Sequence, residues 1–427
     1  MTDTVSPGWL TRRNLLVLLA ALAATPTLAA CGSDAEGGRS GSGMDLVSVD
    51  VARAEPDPTA IAAAVAGMHG LGAALWAQSD TGSNLSLSPF SIAVALAMTA
   101  NGAVGQTRNQ MLAALEADDL EGLNAGLNAL TQSIEALAGE TSTGQPIALD
   151  SANQLFAQRD YEFLEPFLTS LAANYGAGVE LVDYLGATEQ ARAAINSWTA
   201  VRTHDRIPEI VPEGGVTPDT RLSLVNALYF KAPWLEEFPD PTDGDFILAS
   251  GETVQVPRMV AMPKTAGYAE GSIDGSSWQA AQLPYADNTL AMTLVKSAQD
   301  PVARLPQILS AIEVGSVHLT MPTWTFRSDT GLTDPLKAIG MTAPFADADF
   351  SAMTGTRDLV ITDVFHQVFI AVDQHGTEAA AATAVVVGET SAPMLLGEVV
   401  LDEPFWFVIH DLAFGAPLFI GRVADPR

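Results

Sequence analysis

The sequence predicts an α+β fold built as one large domain. Helix signals fill the first half of the 427 residues, and strand signals dominate from Arg221 onward. This order differs from α/β folds, in which strands and helices alternate along the chain. No internal repeat and no second low-complexity linker interrupts the body of the chain, which favours a single domain. Hydrophobic residues make up 48% of the sequence and can form a sizeable core.

Four helices are predicted in the first half. Residues 59–76 are rich in alanine, and their apolar side chains recur about every 3.6 residues. Ser88 is a favourable N-cap and Pro89 a favourable first helical residue. The apolar residues that follow are almost uninterrupted, which predicts a helix buried on all sides. Two further helices are predicted at residues 107–115 and 120–137.

The strands of the second half are predicted from apolar runs. The longest run, at residues 222–230, suits a central strand of a sheet. Shorter runs predict further strands at residues 317–321, 359–361, 364–372, 405–410 and 417–423.

Composition excludes several functions. The formal charge of -30 argues against nucleic acid and against heparin-type polyanions, since both need a basic surface. One cysteine permits no intramolecular disulfide, and the six histidines show no metal-ligand spacing. No G-x-S-x-G elbow is present, so a hydrolase is not expected. We therefore expect no metal, no cofactor and no catalysis.

The N-terminus has the features of an export signal. Arg12 and Arg13 precede a short apolar run that ends in small residues directly before Cys31. The stretch 28–31 (LAAC) resembles a bacterial lipobox, which predicts a signal peptide at residues 1–30 and a lipid on Cys31. A free thiol is the alternative for Cys31, and export by the twin-arginine or the Sec route stays open. Residues 31–57 are predicted as a flexible tether, followed by one domain at 58–427, displayed outside a bacterial cell.

One segment fits neither a helix nor a stable core strand. Residues 376–394 read GTEAAAATAVVVGETSAPM, a run in which alanine favours a helix and the three valines favour a strand. Every second residue from Thr377 to Val387 is small or β-branched, and none is charged. No proline precedes Pro393, so each earlier residue keeps its ladder donor. Taken alone, the segment could form an alanine-rich surface helix or a disordered loop, but its pattern is also compatible with a strand.

Several motifs, in order across residues 60–425, resemble those of the serpin family. They are residues 84–92 (NLSLSPFSI), 224–231 (LVNALYFK), 349–353 (DFSAM), 366–370 (HQVFI), 376–382 (GTEAAAA), 403–405 (EPF) and 417–421 (PLFIG). The resemblance implies a fold with three β-sheets, eight to nine helices and an exposed reactive-centre loop, which the ambiguous segment would form. It also implies a monomer whose partner is an extracellular serine protease.

The resemblance implies roles for two groups of residues. Gly376 and Thr377 would start the hinge of the loop, followed by Glu378, Ala379, Ala380, Ala381 and Ala382. A polar cluster beneath the point where the sheet parts would contain Ser88, Ser91, Asn226 and His366, with Trp234 packed at the top of the sheet. Family members usually carry Glu two residues before the hinge glycine, whereas this chain has Gln374.

Two ways of counting along the loop give different positions for the bond that a protease would cut. Counting forward from the hinge gives the bond between Thr390 and Ser391, whereas counting back from residues 403–405 gives a position near Pro393 and Met394. Thr390–Ser391 is the prediction, with Ala392 and Met394 as alternatives. No Lys or Arg occurs between Gly376 and Val400, so an elastase-, subtilisin- or chymotrypsin-like protease is expected rather than a trypsin-like one.

The predicted function is suicide inhibition. The protease would form an acyl-enzyme with the loop, and insertion of the loop into the central sheet would trap it before hydrolysis. The alternative is a non-inhibitory member that acts as a binding protein on the cell surface.

Overall fold

A computed structural model gives the fold and describes residues 44–79, 82–378 and 394–427, apart from the side chain of Pro263. The predicted signal peptide, Cys31 and the hinge residues Ala379, Ala380, Ala381 and Ala382 lie outside the described residues. The cleavage candidates Thr390, Ser391 and Ala392 also lie outside them, whereas Met394 is described.

Nine α-helices form within the described ranges. They are α1 (Ile61–Trp76), α2 (Pro89–Ala100), α3 (Gly105–Ala114), α4 (Leu120–Glu135), α5 (Glu165–Tyr175), α6 (Tyr184–Arg202), α7 (Leu305–Ser310), α8 (Thr333–Ala338) and α9 (Ser351–Thr354). The first four match the predicted helices to within about two residues at most ends. The Oγ of Ser88 accepts a hydrogen bond from the Ser91 amide at 3.2 Å, and every residue of α2 is buried, as predicted. Helices α5 and α6 were not predicted.

Seventeen strands form within the same ranges. They are β1 (Asp45–Val47), β2 (Leu85–Leu87), β3 (Gly139–Glu140), β4 (Pro146–Gln158), β5 (Val179–Val182), β6 (Leu222–Pro233), β7 (Thr242–Ile247), β8 (Thr253–Ile273), β9 (Ser276–Pro284), β10 (Leu290–Ser297), β11 (Glu313–Pro322), β12 (Trp324–Gly331), β13 (Ile361–Val372), β14 (Gly376–Thr377), β15 (Leu395–Val400), β16 (Phe405–Asp411) and β17 (Pro417–Val423).

The strands pair into two extended hydrogen-bonded sheets. The central sheet has the order β1-β5-β4-β6-β14-β13-β12, with β3 joined to β4. The second sheet has the order β15-β11-β8-β9-β10-β16-β17-β2, with β7 joined to β8. Strand β8 is 21 residues long and pairs with β7 at its start, with β11 along its middle and with β9 at its end. Two of the three expected sheets are therefore continuous through β8.

The order of elements along the chain is more mixed than the sequence indicates. Strands β4 and β5 come from the first half, yet both belong to the central sheet. Helix α6 covers one face of that sheet, where Ile195 and Trp198 pack with Phe156 and Val225. Strand β4 was not predicted because its apolar residues alternate with polar ones and form no long apolar run.

The structure corrects the predicted tether boundary. Asp45–Val47 pairs antiparallel with β5 and extends the edge of the central sheet. Arg53 forms an ion pair with Glu135 of α4 at 3.0 Å, and the Ala54 amide donates to the Ala173 carbonyl of α5 at 2.7 Å. Residues 44–57 therefore pack against the domain, and the prediction of a flexible tether there is wrong.

Candidate functional site

The central sheet is only partly closed along one line, which we call the seam. Strands β6 and β13 pair in parallel from Leu222 opposite Ile361 up to Leu228 opposite Val368. Beyond this point the ladder between them ends, and β14 lies between them. Thr377 of β14 pairs with Ala232 on β6 and with Val372 on β13. The first two residues of the predicted hinge therefore already occupy the top of the seam.

Thr377 sits in an enclosed site at this end. Its side chain is 1% exposed, and its Oγ1 lies 2.6 Å from the hydroxyl of Tyr285. Burial raises the pKa of Tyr285, so the phenol stays protonated at neutral pH. A small side chain with a hydroxyl satisfies this buried phenol, whereas a charged or bulky one would leave it without its partner.

Trp234 holds the turn that leads into β14. Its ring stacks on Tyr285 with the centroids 4.6 Å apart and the planes 9° from parallel. The indole Nε1 donates to the Asp373 carbonyl at 2.9 Å, and the Trp234 amide donates to the His375 carbonyl at 2.9 Å. The structure thus places Trp234 at the top of the sheet and ties it to the turn before the hinge.

A buried polar cluster crosses the seam lower down. The Asn226 side chain on β6 donates to the Ser91 Oγ at 2.6 Å, and the Ser88 amide donates to the His366 Nε2 at 3.1 Å. The Nδ1 of His366 hydrogen-bonds the Oδ1 of Asn226 across the ladder. The structure therefore brings Ser88, Ser91, Asn226 and His366 into one network, and all four are fully buried.

His366 is neutral in this network. Burial lowers its pKa from 6.5 to about 3. Its Nε2 accepts from a backbone amide, so its Nδ1 carries the proton and donates to Asn226. No group of three or more metal-ligating side chains occurs among the residues that the structure describes.

Sequence reasoning missed one member of the cluster. Asn153 on β4 lies directly opposite Asn226, and its Oδ1 accepts from the Asn226 amide at 2.6 Å and from the Ser91 hydroxyl at 2.7 Å. Three adjacent strands thus align Asn153, Asn226 and His366 in one row. Asn153 could have been predicted only if β4 had been recognised as a strand that pairs with β6.

Glu378 directly follows β14 and is the last hinge residue that the structure describes. This residue has a φ of 53°, a left-handed conformation that interrupts the strand. Its carboxylate forms an ion pair with Arg206, which follows α6, and its amide donates to the Ala371 carbonyl at 2.9 Å. Burial and the nearby Glu378 carboxylate raise the pKa of Tyr229 to about 12. These contacts tie the end of β14 to the central sheet and to the segment after α6.

The other end of the loop joins the second sheet. The Met394 carbonyl accepts a hydrogen bond from the Ser316 amide at 3.0 Å, and Leu395 begins β15, which pairs in parallel with β11. Residues 379–393 thus link two different sheets, and both attachment points are backbone hydrogen bonds.

Comparison with known proteins agrees with this geometry. A family model described as "Serpin (serine protease inhibitor)" matches residues 73–426. The chain belongs to the serpin family. Leukocyte elastase inhibitor A of Mus musculus is 34% identical over 370 residues, which span 82% of this chain and 94% of that protein. The leukocyte elastase inhibitor of Homo sapiens is 31% identical over 371 residues, which span 82% and 95%.

Solved serpin structures share the fold. The native-state structure of the thermophilic serpin tengpin matches with a TM-score of 0.75 at 24% identity, over 89% of this chain and 97% of that one. The structure of Arabidopsis AtSerpin1 in its native stressed conformation matches with a TM-score of 0.72 at 27% identity, over 87% and 100%. The described residues therefore adopt the serpin fold.

Proposed function

We propose that this serpin inhibits a serine protease by a suicide mechanism in which the cleaved loop inserts along the whole seam. The observation that carries this proposal is the position of β14 between β6 and β13. Insertion has a defined starting point there, because Thr377 is already paired on both sides.

The register of β14 supports full insertion. If both antiparallel ladders continue residue by residue, Thr383 comes opposite Asn226 on β6 and opposite His366 on β13. These two residues face each other in the present seam, so the two ladders predict one common position. Thr383 and Thr377 have the same parity, so the Thr383 hydroxyl would reach the polar cluster and replace the bond that the parting strands lose.

The length of the segment also fits the seam. Continued pairing brings Val387 opposite Leu222, the first residue of β6. Val387 is also the last of the alternate residues, counted from Thr377, that are small or β-branched and uncharged. Inserting the ten residues after Thr377 would carry an attached protease about 33 Å along the sheet. Each new ladder bond contributes roughly 0.5–1.5 kcal/mol, so the net gain is on the order of 10 kcal/mol after the parallel ladder is lost.

Trapping is a kinetic outcome. The severed loop must insert before water hydrolyses the acyl-enzyme, and the native fold must hold until then. The contacts that would delay insertion are the parallel ladder, the polar cluster and the Arg206–Glu378 ion pair. This protein performs no chemistry of its own in that scheme, and at least one inhibitor molecule is consumed for each protease trapped, since every hydrolysed acyl-enzyme uses up a further one.

The loop favours an elastase-, subtilisin- or chymotrypsin-like target. It carries no Lys or Arg, and leukocyte elastase inhibitors are among its relatives. Cleavage between Thr390 and Ser391 remains the preferred position. The Met394 carbonyl is already bonded to Ser316, so it is poorly placed for an oxyanion hole.

We also propose that the inhibitor acts at the outer surface of a bacterial cell, held by a lipid on Cys31. The signal-like N-terminus and the lipobox-like stretch 28–31 support this location. A Cys31→Ser variant should be released into the medium, whereas the parent chain should fractionate with membranes. Recovery of both in the membrane fraction would contradict the anchor.

SDS gel electrophoresis tests whether the protein traps a protease covalently. The protein is mixed with pancreatic elastase, subtilisin or chymotrypsin and run in SDS. A covalent complex is expected as a band with the summed mass, and mass spectrometry of the released C-terminal peptide identifies the cut bond. Cleavage without any SDS-stable complex would contradict trapping and favour the non-inhibitory binding protein.

A further inference from the structure

The two most exposed large apolar side chains in the described ranges lie close together. Val314 at the start of β11 is 83% exposed, and Met394 before β15 is 73% exposed. Leu395, next to Met394, is 51% exposed. The Ser316 amide donates to the Met394 carbonyl at 3.0 Å, which joins the two segments.

Strand pairing puts two of these side chains on one face. Leu395 lies opposite Ser316, so both point to the same side of the second sheet. Val314 is two residues before Ser316 and shares that side. Val314 and Leu395 are therefore diagonal neighbours within reach of one partner side chain, and Met394 borders them at the edge strand.

None of these three side chains belongs to the buried core of the described residues, although Val314 also borders a cavity beside Leu309 and Ile312. The three side chains neither fill the core nor cover another strand, and the chain has a formal charge of -30 with many polar residues available for its surface. A contiguous exposed apolar surface of this kind marks an interaction site.

We propose that Val314, Met394 and Leu395 form an apolar exosite for the protease that attacks the loop. The occupant follows from position, because Met394 directly continues the segment 376–394 that contains the cleavage site. A protease bound to that segment must place the surface beside its primed subsites against this end of the second sheet. The exosite deepens the proposed function and rests on it, and it selects proteases with an apolar surface at that place.

The test uses Val314→Thr in the full chain. Threonine keeps the β-branched shape and removes apolar area, and position 314 is remote in sequence from the loop, so the substitution leaves the subsite residues unchanged. The matched control is Val201→Thr on α6, because Val201 is also highly exposed, at 72%, and lies in a different element. The measured quantity is the second-order rate at which pancreatic elastase consumes intact protein, whether into complex or into cleaved product.

Val314→Thr should lower this rate about fivefold, and Val201→Thr should leave it unchanged. The fraction of attacked molecules that end in complex should be the same for all three proteins. Equal rates for the two variants would overturn the exosite. A parent chain that sediments as a dimer which Val314→Thr dissociates would also overturn it, since the patch would then be covered by a second copy.

The same rates separate the two proposals. If elastase cleaves every form without complex but cleaves Val314→Thr more slowly, the exosite stands and trapping is wrong. If neither elastase, subtilisin nor chymotrypsin consumes the loop, both proposals are overturned.

Discussion

Strand β6 has two long neighbours that differ in how firmly they hold it. On one side, β4 pairs antiparallel with β6 from Ala157 opposite Leu222 to Ala148 opposite Lys231. On the other, β13 pairs in parallel and stops at Val368 opposite Leu228. The first ladder covers nearly the whole strand, whereas the second leaves its upper end to β14.

The difference between the two ladders indicates that the central sheet would part between β6 and β13. Antiparallel pairing is slightly more stable per residue than parallel pairing. The parallel seam is also crossed by the buried Asn226–His366 hydrogen bond, which can exchange partners. One edge of β6 is therefore paired along nearly its whole length, and the other is the seam that β14 occupies at its top and that we propose the cleaved loop fills. The predictions below test this contrast, starting with the largest expected effect.

Blocking the seam should abolish trapping. Thr383→Arg puts a long cation at the position that register assigns to Asn226 and His366, so insertion should stall there. Elastase should still cut the loop at the normal rate, but the SDS-stable complex should fall at least tenfold, because insertion then loses the race with hydrolysis. The matched control is Thr383→Val, which keeps the shape and should retain most of the complex. An unchanged yield of complex with Thr383→Arg would contradict the register.

Opening the top of the seam should destabilise the native form. Trp234→Ala removes the stack on Tyr285 and the hydrogen bond to the Asp373 carbonyl, with an expected loss of about 3–5 kcal/mol. Trp76→Ala, at the end of α1 and outside the central sheet, is the control, because Trp76 is about equally buried and its indole also donates a hydrogen bond, to Asp300. Both variants should melt earlier. Only Trp234→Ala should also lose inhibitory activity during incubation at 37 °C, by insertion of the uncut loop. Equal loss of activity in both variants would show that the seam is not special.

Acid should weaken the lower seam. The folded pKa of His366 is lowered from 6.5 to about 3, so the stabilisation is complete above about pH 6.5 and is lost as the pH falls toward 3. Between pH 7 and pH 5 the unfolded chain takes up a proton that the folded chain does not, which lowers the free energy of unfolding by about 2 kcal/mol.

Denaturant unfolding measures this effect as the slope of the unfolding free energy against pH, which should be steeper for the parent than for His366→Gln. His410→Gln is the control, since burial lowers the pKa of His410 to about 4 but it lies in β16, outside the seam. That variant should keep the His366 part of the slope. Parallel pH profiles for the parent and His366→Gln would contradict the assignment.

The smallest effect is expected at the Arg206–Glu378 ion pair. Arg206 is about half exposed, so the pair contributes at most about 1 kcal/mol. Arg206→Gln should speed insertion by less than about fivefold and lower the number of inhibitor molecules used per protease. High salt should have the same effect on the parent and none on the variant. A salt response that persists in Arg206→Gln would assign it to other charges.

The sequence predicted the parts of this fold that depend on local patterns. The Ser88 cap, the buried helix α2 and the long apolar strand β6 are all encoded within a few residues of themselves. The cluster residues on these elements could therefore be named. Asn153 could not, since it became visible only through its register opposite Asn226 on β6.

Other parts depend on contacts far apart in the sequence. Tyr285 and Arg206 reach the hinge from 92 and 172 residues away, and no local pattern marks either one. The same reason explains the error in the tether. Residues 44–57 have little apolar periodicity of their own, and they are ordered by pairing with β5 and by the Arg53–Glu135 ion pair.

The central claim is that the native fold lies above a more stable state in which the loop fills the seam. The most direct measurement compares the melting temperature of the intact protein with that of a sample nicked by elastase under the same conditions. The account predicts that the nicked form melts more than about 10 °C later, because a gain on the order of 10 kcal/mol is realised only after cleavage. A nicked form that melts at the same temperature as the intact one, or earlier, would contradict it.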